Sequence, residues 1–222
     1  MSEPKPLRKG EQTRAAILNS AVGLAAQQGL EGITIGTLAE LMQMSKSGVF
    51  AHFGSREELQ IAVLKEYERR FVDEVLKPSL SAARGLPRLV AIFEHWLENT
   101  VLEATHGCIW ISGATEYDDR PGPVREALVA RVKAWQREVS KAIHQSLDEG
   151  HLDPGDDAQE MTSDLIFDLY SVILALHHDA RLLNTPDAVA RSRRSFDRLI
   201  KARMAPQMNH QSPVLKPSIL QQ

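Results

Sequence analysis

The sequence predicts an all-α fold of about nine helices, with a short three-helix unit at the N-terminus and a larger helical body behind it. Three observations predict it. Apolar residues recur at helical spacing through most of the chain. No run alternates convincingly with a period of two, so no β-sheet is expected. Glycine, proline and short hydroxyl residues fall where helices would start and stop.

The first helix is expected over 12–29, where Ile17, Ala21, Leu24 and Ala25 share a face and Gly29 stops it. Thr34 stands as an N-cap ahead of Leu38, Ala39, Leu41 and Met42. A break at Gln43-Met44 leads to Ser45, a second N-cap, and a run to Phe53. Ser55 with Glu58 reads as a capping box. The helix it opens stacks Leu59, Val63, Tyr67 and Phe71, and Pro78 should end it after Lys77. Gly85-Leu86-Pro87 opens the next helix, over about 88–105. The stretch 106–122 holds Gly107, Gly113, Pro121 and Gly122 and reads as a loop or a broken helix. Helices over 123–149, 156–182 and about 187–204 complete the body, with a turn signal at Asp153-Pro154-Gly155. Residues 1–10 read as a flexible arm, and the proline-bearing stretch 205–222 as a disordered tail.

Apolar residues make up 43% and charged residues 25% of 222 residues, which suits a globular chain with a sizeable core. The longest apolar stretch, 169–176, is broken by Ser171 and falls far short of the roughly 20 residues of a membrane span. No apolar leader follows the first residues, so a cytoplasmic protein without a membrane partner is expected. The single cysteine, Cys108, excludes an internal disulfide and a cysteine-based zinc site, and no cofactor is expected. The net charge of −3 argues against nucleic acid, but its distribution is uneven. Residues 1–56 carry +2 and the remainder −5, which permits a basic N-terminal patch.

Residues 34–53, TIGTLAELMQMSKSGVFAHF, read as two short helices around a tight turn. Such helices are marginal alone and need a third, which 12–29 supplies. That layout is a helix-turn-helix, whose second helix enters the major groove. Lys46, Ser47 and Gly48 make the first turn of that helix without a large apolar group, so its backbone can approach phosphates or base edges. Val49 and Phe53 would face a core, with Phe50 and His52 near the edge. A plain capped pair of surface helices is the alternative on these residues alone.

Thr13-Arg14, Ile17-Leu18, Ala25 and Gly29, Thr34-Ile35, Leu38-Ala39, then Ser45-Lys46-Ser47-Gly48-Val49-Phe50-Ala51-His52-Phe53 and Gly54-Ser55-Arg56-Glu57-Glu58-Leu59 stand in a specific order and spacing. On these residues the stretch from Arg14 to Leu59 resembles the N-terminal domain of the TetR family of bacterial transcription regulators. The resemblance implies a helix-turn-helix DNA-binding domain over 11–56 and an effector-binding and dimerisation domain over 57–204. It implies a homodimer on a palindromic double-stranded DNA operator. It further implies a repressor, not an enzyme, released by a small-molecule effector. The DNA-facing set is then Arg14, Thr34, Ser45, Lys46, Ser47, Gly48, Phe50, His52 and Arg56. Thr34 can present a hydroxyl to a phosphate, and Lys46 can reach a guanine edge or a phosphate. Arg14 and Arg56 would position the duplex. His52 matches the family's phosphate-contacting histidine, with a packing histidine as the alternative. Phe50 stands where the family usually has a phosphate-reaching tyrosine, and it can offer only packing. Arg56 replaces the usual lysine and keeps its charge.

In the body, Leu165, Leu169, Val172, Ile173 and Leu176 make one wide apolar face, and Val189, Phe196, Leu199 and Ile200 another. Two such helices from each of two chains could form a four-helix dimer interface; packing within one chain is the alternative. Phe93, Trp96, Trp110, Tyr117 and Trp135 cluster between 88 and 149 and would fill a core. The resemblance implies a ligand pocket there, lined also by Thr100, Gly113, Tyr170 and His177, with His95 as a further polar candidate. Without Lys or Arg, it suggests a small apolar or aromatic effector. Cys108 reads as a buried structural thiol, with a redox sensor as the alternative and His106 as its nearest activator. His177-His178-Asp179 is a poor metal site, because adjacent histidines point to different faces of a helix. An enzyme using His95 or His106 as base lacks any nucleophile–base spacing or phosphate loop. A protein-binding helical module would be separated by its lack of salt-dependent DNA affinity.

Overall fold

The computed structural model describes residues 8–206, without the side chains of 104–106. Among the described residues there are nine helices of seven residues or more and no strand. They are α1 (Lys9–Gln28), α2 (Ile35–Leu41), α3 (Lys46–Phe53), α4 (Arg56–Phe71), α6 (Leu86–His106), α7 (Ile109–Tyr117), α8 (Pro123–Asp148), α9 (Ala158–Arg181) and α10 (Ala188–Lys201). Between α4 and α6 the chain passes through a π-helical turn, Val72–Leu76, and the one-turn α5, Lys77–Ser79. The arm and the tail lie outside the described residues, except 8–10 and 205–206.

The caps explain most helix starts. Ser45 Oγ accepts from Gly48 N at 3.1 Å, and Ser55 Oγ from Glu58 N at 3.0 Å. Thr34 and Thr37 exchange side-chain and backbone hydrogen bonds at 3.0 Å. Asp157, which the sequence reading passed over, caps α9 through Gln159 N and Glu160 N. Of the two readings of 106–122, the structure has the broken helix: the chain breaks at Gly107-Cys108 and resumes as α7, which runs through Gly113. One expectation is corrected. Pro78 does not end the helix after Lys77, because it occupies the first turn of α5, where a missing N–H costs nothing.

One continuous apolar core runs through the molecule. Ile17, Ala21, Leu38, Val49 and Phe53 fill the three-helix unit, and Leu59 and Val63 of α4 close it. Behind it α4 packs on α8, α6 on α8 and α9, and α9 on α10. The boundary expected at 56 therefore falls on the first turn of a helix that both halves share.

Candidate nucleic-acid interface and ligand cleft

α3 is held by its apolar face and presents the other. Val49 is fully buried and Phe53 nearly so, whereas Lys46, Ser47 and Phe50 are exposed. Gly36 of α2 faces the Lys46 side chain: a Cβ there would lie 3.8 Å from Lys46 Nζ. The α2–α3 turn is tight because Gln43 adopts a left-handed conformation, φ 53°, and Met44 N donates to Ala39 O at 2.9 Å. Phe50 is a large apolar ring that stands 53% exposed. Arg14 of α1 lies with its guanidinium 4.9 Å above the Phe53 ring, beside the end of α3. His52 is half-buried.

Arg56 is tied to the α1–α2 loop. Its Nε donates to Ile33 O at 3.0 Å, and its Nη2 reaches Glu31 O at 2.5 Å and the Glu31 carboxylate at 3.1 Å. The guanidinium is spent on the α1–α2 loop. Gln60 Nε2 adds a bond to Leu30 O at 2.7 Å. From the other side, Glu116 of α7 accepts from Leu30 N at 3.2 Å and Glu31 N at 2.8 Å. Tyr117 donates its hydroxyl to the Glu31 carboxylate, and Arg120 stands 3.4 Å from it. The Tyr117 hydroxyl, then Arg56 and Arg120, hold the Glu31 carboxyl below its ordinary range. The loop 30–33 is thus clamped between α4 and α7.

The nine expected pocket residues separate into three groups. Trp110 and Trp135 line a cleft of about 220 Å³ with Phe71, Val72, Leu76, Ala134, Glu68, Arg131, Arg137 and Glu138. Phe71 bridges the two indoles at 4.6 and 4.8 Å between ring centroids. Trp96 and Tyr170 extend this ladder edge to face, Trp96 on Trp135 at 5.3 Å and Tyr170 on Trp96 at 4.8 Å. Thr100 is buried, its hydroxyl bonded to Trp96 O. His177 Nε2 and Tyr170 Oη are buried without partners, and burial lowers the His177 pKa. The rest lie elsewhere. Phe93 stacks on Phe196 at 3.9 Å, as core between α6 and α10. Gly113 packs on Leu30 and Leu128, and Tyr117 belongs to the clamp. His95 faces Glu98 at 3.5 Å.

Sequence reading missed Arg131 and Arg137, so a cleft free of cations is corrected. Arg131 and Trp135, four apart, share a helix face, which was a usable signal. The expected dimer set also needs correction. Leu165, Leu169, Ile173, Leu176, Phe196 and Ile200 are at most 6% exposed within the single chain, with Val172, Val189 and Leu199 half-buried. α6, α8 and α10 pack on α9 within the one chain. The uncovered apolar side chains of α9 are instead Phe167 and Leu174.

A helix-turn-helix carried on a helical body with an aromatic cleft defines a class: DNA-binding regulators with a sensing domain. Residues 17–63 match the family described as "Bacterial regulatory proteins, tetR family", and residues 85–196 match "Tetracyclin repressor-like, C-terminal domain". The chain belongs to the TetR family. It is 33% identical over 79 residues to the HTH-type transcriptional repressor AcnR of Corynebacterium efficiens, a match that covers 35% of this chain and 42% of that one. A TetR-family regulator from Cytophaga hutchinsonii superposes with a TM-score of 0.72 at 19% identity, covering 90% of this chain and 98% of that one. A TetR regulator from Chloroflexus aurantiacus gives 0.71 at 22%, covering 90% and 100%. A transcriptional regulator from Saccharomonospora viridis, solved in complex with choline, gives 0.70 at 20%, covering 87% and 98%.

Proposed function

We propose that this chain is a dimeric transcriptional repressor, released from a palindromic operator by a small molecule bound in the cleft of its helical body. Family membership supports the DNA-binding part. The observation that carries the reading is the exposed first turn of α3, where Lys46 and Ser47 project beside Gly48 from a buried anchor. Lys46 is the long donor on that turn and takes the base-reading role; Ser47 and Gly48 let the backbone close on the duplex. Arg14 positions the duplex. The α9 face carrying Phe167 and Leu174 is the dimer surface, and two copies then read two half-sites. Such a chain works in the cytoplasm, where the DNA is.

Fluorescence anisotropy on DNA from upstream of the protein's own gene, against a scrambled duplex and over several salt concentrations, tests this. Binding should be sequence-dependent, and Lys46→Ala should reduce discrimination between the duplexes about tenfold or more. Absence of binding at every salt concentration would end the DNA reading.

A further inference from the structure

We infer that Phe50 is a base-reading residue, and that the group it reads is the C5-methyl of a thymine in the major groove. This rests on α3 being the helix that reads DNA, and it adds to Lys46 a second determinant of sequence. Three observations carry it. Phe50 is a large apolar ring left 53% exposed, whereas Val49 and Phe53 of the same helix are buried. It stands four residues after Lys46, one turn further along the same helix face. The exposed residues of α3 are Lys46, Ser47, Phe50 and Ala51, so beyond the first turn no exposed side chain carries a donor or an acceptor.

The two turns of this face therefore suit two different base edges. The first offers an ammonium donor, and the second offers only carbon. In the major groove every base presents a donor or an acceptor, and thymine alone adds an apolar group. A ring set against a polar base edge would take that edge out of water without giving it a bond, which is costly. A ring set against a methyl group buries apolar surface on both partners. The sugar–phosphate backbone is no better a partner, since a phenyl ring has no hydrogen to donate to a phosphate. The spacing also places the thymine. One helical turn rises about 5.4 Å and one base pair about 3.4 Å, so the methyl group stands about one to two base pairs from the base that Lys46 meets.

The full chain is first used to select its preferred duplex from a random pool. Each thymine of that duplex is then replaced in turn by deoxyuridine, which removes the methyl group and keeps the pairing. Affinities are read by fluorescence anisotropy at one salt concentration. One thymine, within about two base pairs of the position whose preference Lys46→Ala relaxes, should lose about fourfold on replacement, the worth of one buried methyl group. Phe50→Ala should bind the thymine and deoxyuridine duplexes equally, and Phe50→Leu, which keeps an apolar side chain, should retain part of the preference. Both variants should keep the melting temperature, because the ring is exposed. A selected site with no thymine in that window, a site insensitive to deoxyuridine, or an equal loss in the unaltered chain and in Phe50→Ala would overturn the proposal and leave the DNA-binding reading intact. A selection that returns no preferred sequence would overturn both.

Discussion

Cys108 sits at the start of α7 with the Tyr67 hydroxyl 3.3 Å from its sulfur. Burial, with the Glu103 carboxyl nearby, pushes the thiol well above its ordinary range. A buried thiol with a raised pKa is a poor nucleophile, which favours a packing role for the sulfur. The native chain should react with iodoacetamide at pH 8 at least about a hundredfold more slowly than the urea-unfolded chain. Comparable rates in the two states would reopen the redox alternative. Arg56 teaches a related lesson. Its position in the motif suggests a phosphate contact, yet three acceptors on the α1–α2 loop already occupy it. Side-chain type and spacing gave its place and charge, and tertiary contacts gave it another task.

α4 is the element that joins the two halves. Its N-terminal end grips the 30–33 loop through Arg56 and Gln60, and its last residue, Phe71, lines the aromatic cleft. The π-turn that follows supplies Val72 and Leu76 to the same cleft. Such wide turns recur at functional sites. The exposed side of α4 is stiffened by ion pairs around Glu66, which takes a two-pronged bond from Arg69 at 2.8 and 2.9 Å and another from Arg70 at 2.9 Å. The Arg69 hydrogen bonds, followed by those of Arg70, hold the Glu66 carboxyl at about 2, below its ordinary 4.5. A lowered folded-state pKa contributes stability above about 4.5 that disappears as pH falls towards 2. Glu66→Gln should therefore cost about 1–2 kcal/mol at pH 7, discounted because Arg69 is largely exposed. In urea denaturation the cost should shrink steadily below pH 4.5. A cost that is the same at pH 7 and pH 3 would show that the ion pairs are not its source.

At the scale of the whole molecule, polar bonds add to the continuous apolar core where the halves meet. Glu116 reaches from α7 to two backbone N–H groups at the end of α1, and the loop closes on it only because Gly29 stands there with φ 79°. A Cβ at Gly29 would lie within bonding distance of Glu116 Oε1. Gly107 allows an equally close approach of α6 to Ala26 O, with φ 106°. Glu116→Ala removes the acceptor and leaves two partly buried donors unmet. It should lower stability by about 2 kcal/mol, read as a lower urea midpoint, because hydrogen bonds to a charged group are worth about 1.5–3 kcal/mol. Its DNA affinity without ligand should stay within about threefold, since α3 is untouched. An unchanged urea midpoint would mean that the joint is held by packing alone.

The sequence by itself determined most of the helices, their caps and the exposed first turn of α3, because these are local. Thr34, Ser45 and Ser55 cap helices through bonds that span three residues. Val49 and Phe53 anchor α3 through spacing that is visible in one turn. Tertiary structure decided everything that depends on residues far apart in the chain. Tyr117 reads as a pocket aromatic until the fold brings it to Glu31, 86 residues away. Leu165 and Leu169 read as a dimer face until the chain's own helices, packed on α9, bury them. Helical periodicity says that a face is apolar, but it does not say which partner covers it, because burial against the same chain and burial against a second chain use the same hydrophobic force. Which polar atoms of the aromatic core stay unpaired belongs to the same category. An unmet donor is a property of what surrounds an atom, and only the folded chain supplies those surroundings.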